Sequence, residues 1–305
     1  MTIPKKRPAI LPANLADPTG VDRLERGAIR EFESRIRRVA AAYISALNRI
    51  PAEPAVNRRY TFRLESTLLA IVFAEADSVA DLVLLEGGER NLWFFESYVG
   101  VADKRGTAQA FTNLSQQSAA YKAGRVDLAA LLQSPPYQAR IALVKARQFE
   151  EMKGLTAQVK TDMARVLSDG IGRGLNPLEV ARNLKDQAGL ELPRARRIAR
   201  TEIPMALRRA RWDERDAAAE SYGLDSKLMH VSALSPTTRA THSARHAHLY
   251  TSDEVRDWYS QDGNAINCKC SQVEVLVDED GEPLVPQIVE RAKQNKAAVE
   301  ARRSK

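Results

Sequence analysis

The sequence predicts a mainly α fold, in which long helices of the N-terminal half are followed by a smaller α+β C-terminal module. Aromatic residues make up only 6% of the 305 residues, and Ala, Arg, Leu and Glu are abundant, which favours helices over a β-sandwich or barrel. Before Gly223, apolar residues recur every three to five positions over long stretches. After Gly223, short alternating segments are typical of strands.

The first 20 residues contain four prolines and the basic triplet Lys5-Lys6-Arg7. This composition indicates an extended arm that orders against a partner, with a frayed terminus as the alternative. Pro8 and Pro12 interrupt any apolar core, so the basic start does not indicate a signal peptide.

Long helices are predicted up to the glycine-rich segment 170–174. Their predicted spans are 21–50 (ending at Pro51), 60–85, 91–122 (interrupted near Gly100 and Gly106) and, after the break at Ser134-Pro135-Pro136, 137–169. Asn176 is then a predicted N-cap, with Pro177 at the first helical position. The helix that starts there is predicted to end at Gly189, and another begins near Pro193.

The C-terminal module is predicted to contain strands at 227–234 and 272–277 and a turn at Asp280-Gly281. A short helix with Ser252 as its N-cap carries Trp258 and Tyr259, for which core packing is the preferred role. The predicted organisation comprises an arm (1–20), a helical domain (21–150), a C-terminal domain (151–286) and a basic tail (287–305).

All four histidines and both cysteines fall within a window of 41 residues, 230–270. If 241–249 is helical, His242 and His246 share one face, a spacing that suits two imidazoles on one zinc ion. Two thiolates then complete a tetrahedral, structural site, since no position is left for water. The predicted metal ligands are His242, His246, Cys268 and Cys270, with His230 and His248 as further candidates. The alternative is that the histidines form local hydrogen bonds and the cysteines pack as small apolar residues.

Segment 194–215 carries the densest basic cluster, with eight positive and three negative charges in 22 residues. On a helix this density gives a positive face that can hold phosphates without reading base sequence. A solvated face, or ion pairs with an acidic partner protein, is the alternative. The predicted DNA-binding residues are Arg194, Arg196, Arg197, Arg200, Arg208, Arg209 and Arg211. The net charge of +7 also favours an acidic partner.

Several classes of protein receive no support from the sequence. It contains no run of about eighteen apolar residues, so no membrane span is expected. It also contains no HExxH pattern, G-x-S-x-G elbow, P-loop or G-x-G-x-x-G fingerprint. The sequence therefore predicts a protein that is not an enzyme.

Four motifs occur in an order and at spacings that resemble a known family. They are Gly174-Leu-Asn-Pro-Leu-Glu-Val-Ala181, Ile198-Ala-Arg-Thr-Glu202, Thr238-Arg-Ala-Thr-His242 and Asn267-Cys-Lys-Cys270. Together they resemble the Mu F-like minor head proteins of tailed bacteriophages, also called phage head morphogenesis proteins. The resemblance covers about residues 150–280, which identifies the predicted domain 151–286 as a Mu F-like head morphogenesis domain.

The resemblance implies a virion component present in few copies, associated with the portal region and packaged DNA. The motif residues that carry over by position are Arg200, Thr201, Glu202, Arg239, His242, Cys268 and Cys270. The sequence departs from the family at Ser235, where an acidic residue is common. Some members also have a Cys-x-x-Cys pair where Arg239 and His242 stand, which supports His242 as a metal ligand.

The leading hypothesis is therefore a non-enzymatic minor capsid protein that acts in head assembly or DNA delivery. Residues 21–150 would dock on the portal or major capsid protein, and the basic half would contact double-stranded DNA through phosphates. The expected location is the virion, at the head interior or portal vertex, after assembly in the host cytoplasm. Two alternatives remain: a metal-dependent nuclease or effector carried in the head, and a host-type DNA-binding protein.

Overall fold

The computed structural model describes residues 7–55, 57, 59–125 and 127–303. The longer helices are α1 (Asp22–Asn48), α2 (Ser66–Leu84), α4 (Gly100–Gln117), α7 (Pro135–Gly172), α8 (Pro177–Tyr222) and α11 (Gln287–Arg303). The short helices are α3 (Gly88–Asn91), α5 (Ala119–Gly124), α6 (Leu128–Gln133), α9 (Ala240–Ala244) and α10 (Ser252–Ser260), and one π turn spans Phe95–Val99. The strands are β1 (Ala52–Pro54), β2 (Tyr60–Phe62), β3 (Ser226–Val231), β4 (Leu249–Tyr250) and β5 (Ser271–Leu276). This arrangement confirms the predicted mainly α fold with a small C-terminal sheet.

The chain divides into two compact units, each of which is assembled from separate segments. The sheet unit contains the described residues of Met1–Glu25, Tyr98–Ala139 and Arg200–Lys305. The helical unit contains those of Arg26–Ser97 and Arg140–Ala199. The domains predicted from the sequence are contiguous segments, and their boundaries stay a prediction.

The helical unit has an aromatic core on α1. The Phe32 ring packs edge-on against Trp93, with ring centroids 4.9 Å apart, and lies 5.1 Å from Phe94. The guanidinium carbon of Arg35 lies 4.1 Å from the centroid of the Trp93 ring, and Arg35 Nη1 donates to the carbonyl oxygen of Val83 at 2.5 Å. Burying these aromatic surfaces stabilises the N-terminal helices against one another.

Two local predictions in the N-terminal half are wrong. The predicted helix 60–85 begins only at Ser66, because Tyr60–Phe62 pairs with Ala52–Pro54 as an antiparallel hairpin. The predicted interruption at Gly106 does not occur, and α4 continues through it. A Cβ on Gly106 would lie 2.2 Å from the carbonyl oxygen of Leu207, so this glycine permits a close approach of α8 rather than a break.

Helix α8 is a further correction, since it runs without interruption through Gly189 and Pro193. Its start agrees with the prediction, because the Asn176 carbonyl accepts from Val180 N and Pro177 is the first helical residue. The two helix-breaking residues are exposed, whereas Ala195 and Ala199 beyond them are fully buried. Burial of this face outweighs the local penalty of a glycine and a proline.

The sheet unit is built around a three-stranded antiparallel sheet in the order β4-β3-β5. Alternate residues of β3 and β5 face opposite sides, with His230 paired to Gln272 in the register. One side of the sheet packs on Ile288 and Ala292 of α11. The other side packs on Met205 and Trp212 of α8 and on Val255 and Tyr259 of α10, and this second side includes both cysteines.

The N-terminal segment is part of the sheet unit rather than a free arm. Ala9 is buried in the same cluster as Met229 and Val231. The backbone N of Ile10 donates to Asn113 Oδ1 at 2.7 Å, and Leu15 O accepts from Leu234 N. The prediction of an arm that orders only against a partner is therefore wrong for residues 7–20, and Lys5 and Lys6 lie outside the described residues.

The described C-terminal residues of the predicted basic tail form helix α11. Among the described residues, no helix combines the length and apolar character that crossing a bilayer requires.

Candidate metal centre

His242 and the two cysteines meet on the α8 side of the sheet. His242 lies on α9, a helix of five residues, and Cys268 and Cys270 lie on the segment that enters β5. The His242 Nδ1 atom is 3.4 Å from Cys268 Sγ and 3.6 Å from Cys270 Sγ. All three donor atoms lie within 4.8 Å of one another, and the three residues are at most 3% exposed.

The loop before the cysteines is held by two residues of the recognised motifs. The Arg239 guanidinium donates to the carbonyl oxygens of Gly263, Asn264 and Ile266 at 2.9–3.2 Å. Asn267, which adopts a positive φ of 53°, donates its backbone N–H to Thr201 Oγ1 at 3.2 Å. These contacts position the residue that directly precedes Cys268, and they give Arg239 and Thr201 a structural role that spacing alone does not reveal.

The predicted ligand His246 does not join the cluster. Helix α9 ends at Ala244, so the expected four-residue spacing on one helical face does not exist. The Nδ1 atom of His246 accepts from Ser232 N at 3.1 Å, and Nε2 donates to the Ala292 carbonyl at 2.9 Å. With both ring nitrogens occupied, His246 connects the sheet to α11. The prediction that His246 is the second histidine of a two-histidine, two-cysteine site is therefore wrong.

The other two histidines also lie apart from the metal cluster. His230 Nδ1 accepts from Gln272 Nε2 at 3.2 Å, so the proton of the neutral ring is on Nε2, which then cannot bind a metal. Burial lowers the pKa of His230 to about 3, so the ring is neutral at ordinary pH. His248 is exposed. Among the described residues, His242 is therefore the only histidine placed to bind a metal with the cysteines.

The two thiols form a hydrogen-bonded pair with opposite pKa shifts. The hydrogen bond donated by Cys270 lowers the pKa of Cys268 well below its ordinary value, and Arg208 and His242 act in the same direction against burial. The pKa of Cys270 is raised, first by this hydrogen bond and then by burial. Tyr259 Oη is 3.6 Å from Cys268 Sγ, and Ser232 Oγ is 3.7 Å from Cys270 Sγ. One thiol is therefore prepared to ionise, as metal binding requires.

Two sulfur atoms and one imidazole nitrogen form a donor set that suits a soft or borderline cation such as zinc. The Nε2 atom of His242 is buried and has no hydrogen-bond partner among the described residues. With Nδ1 facing the sulfurs, the ring presents its acceptor nitrogen to the cluster when the proton is on Nε2. The residues present therefore fit a metal bound by three protein ligands, one fewer than predicted.

The prediction that Arg208 and Arg211 contact DNA is wrong, because both are interior residues. Their exposed fractions are 0% and 4%, so neither side chain can reach a phosphate group. Arg208 donates to the carbonyl oxygens of Cys268 and Cys270, and Arg211 forms an ion pair with Glu274 at 2.6 Å. The sequence did contain a signal, because Arg208 lies between Met205 and Trp212 at the spacing of a core-facing stripe.

The remaining arginines of the predicted DNA surface are more accessible. Arg196, Arg197 and Arg200 are exposed and form no ion pair within the described part of the chain, whereas Arg194 and Arg209 are half-buried. Glu202, the last residue of the Ala-Arg-Thr-Glu motif, is also half-buried.

The fold and the site therefore define a mainly α protein whose sheet unit contains a buried His-Cys-Cys cluster. Residues 161–273 match the family described as phage Mu protein F like protein, which confirms the predicted resemblance over this segment. This family indicates a phage head morphogenesis protein. No curated protein and no solved structure matches the chain.

Proposed function

We propose that this chain is a non-enzymatic minor capsid protein that acts in phage head assembly or DNA delivery. The observation that carries the proposal is the match of residues 161–273 to the phage Mu protein F like family. The match contains His242, Cys268 and Cys270, which build the candidate metal centre, and the whole of α8. In this proposal the protein is assembled in the host cytoplasm and becomes part of the virion, at the head interior or portal vertex.

The proposal assigns a structural zinc ion to the centre. His242, Cys268 and Cys270 would hold the ion, joining α9 to the segment that enters β5. Such a bond connects residues 26 positions apart along the chain and stabilises the fold that presents the surrounding surfaces. A role in stability accounts for a site whose ligands are almost completely buried.

The proposed partners are the portal protein or the major capsid protein, and double-stranded DNA. The helical unit carries exposed apolar side chains suited to protein contacts, among them Leu82 (70% exposed), Leu143 (74%), Leu178 (75%) and Leu190 (71%). Arg196, Arg197 and Arg200 supply exposed positive charge for phosphate groups.

Co-sedimentation with assembled heads tests the proposal. The purified chain is mixed with proheads of its own phage, with proheads that lack the portal, and with the isolated portal ring. We expect it to sediment with portal-containing proheads and with the ring, and to remain in solution with the portal-free particles. Sedimentation with the portal-free particles as well would identify the major capsid protein as the partner. The absence of sedimentation with all three contradicts the assignment.

A metal-dependent nuclease is the second candidate, because three protein ligands leave a coordination position open, as in catalytic zinc sites. The cluster contains no carboxylate to act as a general base, and its ligands are buried. We therefore favour the structural role. Degradation of DNA or RNA by the wild type with zinc, magnesium or manganese, abolished in His242→Ala, would reverse this preference.

A further inference from the structure

We propose that Arg208 is a positioning residue of the metal centre, which holds the backbone of Cys268 and Cys270 so that both thiols face His242. This inference rests on the metal site of the proposed function. It assigns to Arg208 a task that neither its place in the arginine-rich segment nor the family match suggests.

The first observation is the contact of one guanidinium nitrogen with both cysteine residues. Arg208 Nη1 donates to the carbonyl oxygen of Cys268 at 2.9 Å and to that of Cys270 at 3.0 Å. Side chains two residues apart in an extended segment point to the same side. By fixing the carbonyl groups of both residues, Arg208 holds the two thiols on the side where His242 lies.

The second observation is that Arg208 is a buried cation without a carboxylate partner. Its exposed fraction is 0%, and its Nε and Nη2 atoms have no hydrogen-bond partner among the described residues. Its other close contact is with the Tyr259 ring, whose centroid lies 4.8 Å from the guanidinium carbon. A buried charge needs polar partners, and the carbonyl oxygens of Cys268 and Cys270 are the partners that this guanidinium has. Arg208 and the cysteine backbone therefore fix one another in place.

A second buried arginine on the same helix provides the comparison. Arg211, three residues later, donates to both carboxylate oxygens of Glu274 at 2.8 and 2.6 Å. Its charge is therefore balanced by a fixed partner on β5. The contrast indicates that Arg208 holds the cysteine segment, whereas Arg211 holds α8 against the sheet.

The test compares Arg208→Met with Arg211→Met, which remove equally buried guanidinium groups from the same helix. Zinc affinity is measured by competition with a chromophoric chelator, and cobalt binding by the thiolate-to-metal absorption band. Thermal unfolding of each variant is recorded in parallel. Arg208→Lys is included because it keeps the charge but replaces the planar guanidinium by a compact ammonium group.

We expect Arg208→Met to weaken zinc binding by about tenfold or more, the usual effect of removing a residue that orients metal ligands. Arg211→Met should keep its zinc affinity within about twofold, since it contacts no ligand, although its Tm falls. Arg208→Lys should bind zinc with intermediate affinity and keep the cobalt absorption band. If Arg208→Met does not fold, Arg208→Lys decides: a zinc affinity equal to that of the wild type in that variant overturns the inference.

Equal zinc affinities for Arg208→Met and wild type, or equal losses in the two Met variants, overturn the inference and leave the metal site intact. Absence of zinc and cobalt binding by the wild type removes the metal site itself, and with it this role of Arg208. Co-sedimentation with portal-containing proheads does not depend on either result, so the head-protein assignment is tested separately.

Discussion

His242 and His246 are both buried, yet their ring nitrogens have different surroundings. His246 uses one nitrogen for Ser232 N and the other for the Ala292 carbonyl. His242 directs Nδ1 toward two sulfur atoms at 3.4 and 3.6 Å. The hydrogen bonds of a histidine therefore decide whether it can bind a metal, and sequence spacing alone does not.

Replacing each of these histidines in turn should separate metal binding from stability. We expect His242→Ala to abolish stoichiometric zinc binding, because only two ligands remain. His246→Ala should keep one zinc per chain but lower the free energy of unfolding by about 1–3 kcal/mol, since two buried backbone groups lose partners. Elemental analysis and denaturant unfolding provide the measurements. Loss of zinc in His246→Ala with retention in His242→Ala would invert the assignment.

Glu25 is a buried carboxylic acid outside the metal cluster, and it should make stability depend on pH. Burial raises its pKa from 4.5 to about 7, against the opposing effect of Lys269. The folded protein holds this proton more tightly than the unfolded chain does. The stabilisation is therefore fully present below pH 4.5 and is lost as the pH rises to about 7.

Glu25→Gln should remove this pH dependence. Between pH 5 and pH 8 the wild type should lose up to about 3 kcal/mol of unfolding free energy relative to the variant, from a shift of this size. The matched control is Glu290→Gln, at an exposed residue on α11 that pairs with Lys293. Urea unfolding at several pH values measures the effect. Parallel profiles for wild type and Glu25→Gln would show that the carboxyl is not buried in this way.

Single residues also show what the sequence could and could not predict. The pairing of His242 with Cys268 and Cys270 follows from their concentration in one window and from the family motifs. The inclusion of His246 assumed a helix over 241–249, whereas the observed helix ends at Ala244, two residues before His246. The buried position of Arg208 was missed because the basic run favoured a surface interpretation, although its spacing from Met205 and Trp212 indicates the core-facing side of the helix.

At the scale of elements, α8 shows how tertiary packing overrides local signals. Gly189 and Pro193 predicted the end of one helix and the start of another, yet one helix of 46 residues includes both. The N-cap at Asn176, by contrast, was predicted correctly, because its hydrogen bonds are local. Signals that depend on near neighbours are readable from sequence, and those that depend on the opposite face of a helix are not.

Two helical glycines should respond oppositely to alanine. A Cβ on Gly189 meets no atom within 4 Å, so Gly189→Ala should stabilise the protein by about 1 kcal/mol through helix propensity. A Cβ on Gly106 would lie 2.2 Å from Leu207 O, so Gly106→Ala should destabilise it by about 1–3 kcal/mol. Thermal unfolding measures both changes. Destabilisation by Gly189→Ala would indicate a break in α8 at that residue.

At the scale of the whole molecule, composition and periodicity predicted a mainly α chain with a small C-terminal sheet. They could not predict that the N-terminal segment packs on that sheet, because Ala9 and Val231 are distant in sequence. For the same reason, the division into two units built from separate segments was not visible in the sequence. Non-local contacts of this kind leave no local pattern.

DNA binding is the whole-molecule property that the exposed arginines should determine. We expect duplex DNA to bind with an affinity that falls steeply with salt, and Arg196→Gln/Arg197→Gln to reduce the slope of log K against log salt by about 2. Lys153→Gln/Arg165→Gln removes the same charge from exposed positions on α7 and should change the slope little. Fluorescence anisotropy at several salt concentrations measures the slopes. Equal slopes for both double variants would mean that the α8 arginines do not contact phosphates.

The central proposal is that the chain is a component of the phage head, and locating it in particles tests this proposal most directly. Proheads and mature virions of the phage that encodes it are purified, and the protein is detected by quantitative mass spectrometry and by imaging of the portal vertex. The account predicts a few copies per particle, with density at the portal vertex or the adjacent head interior. Absence of the protein from both proheads and virions would contradict it.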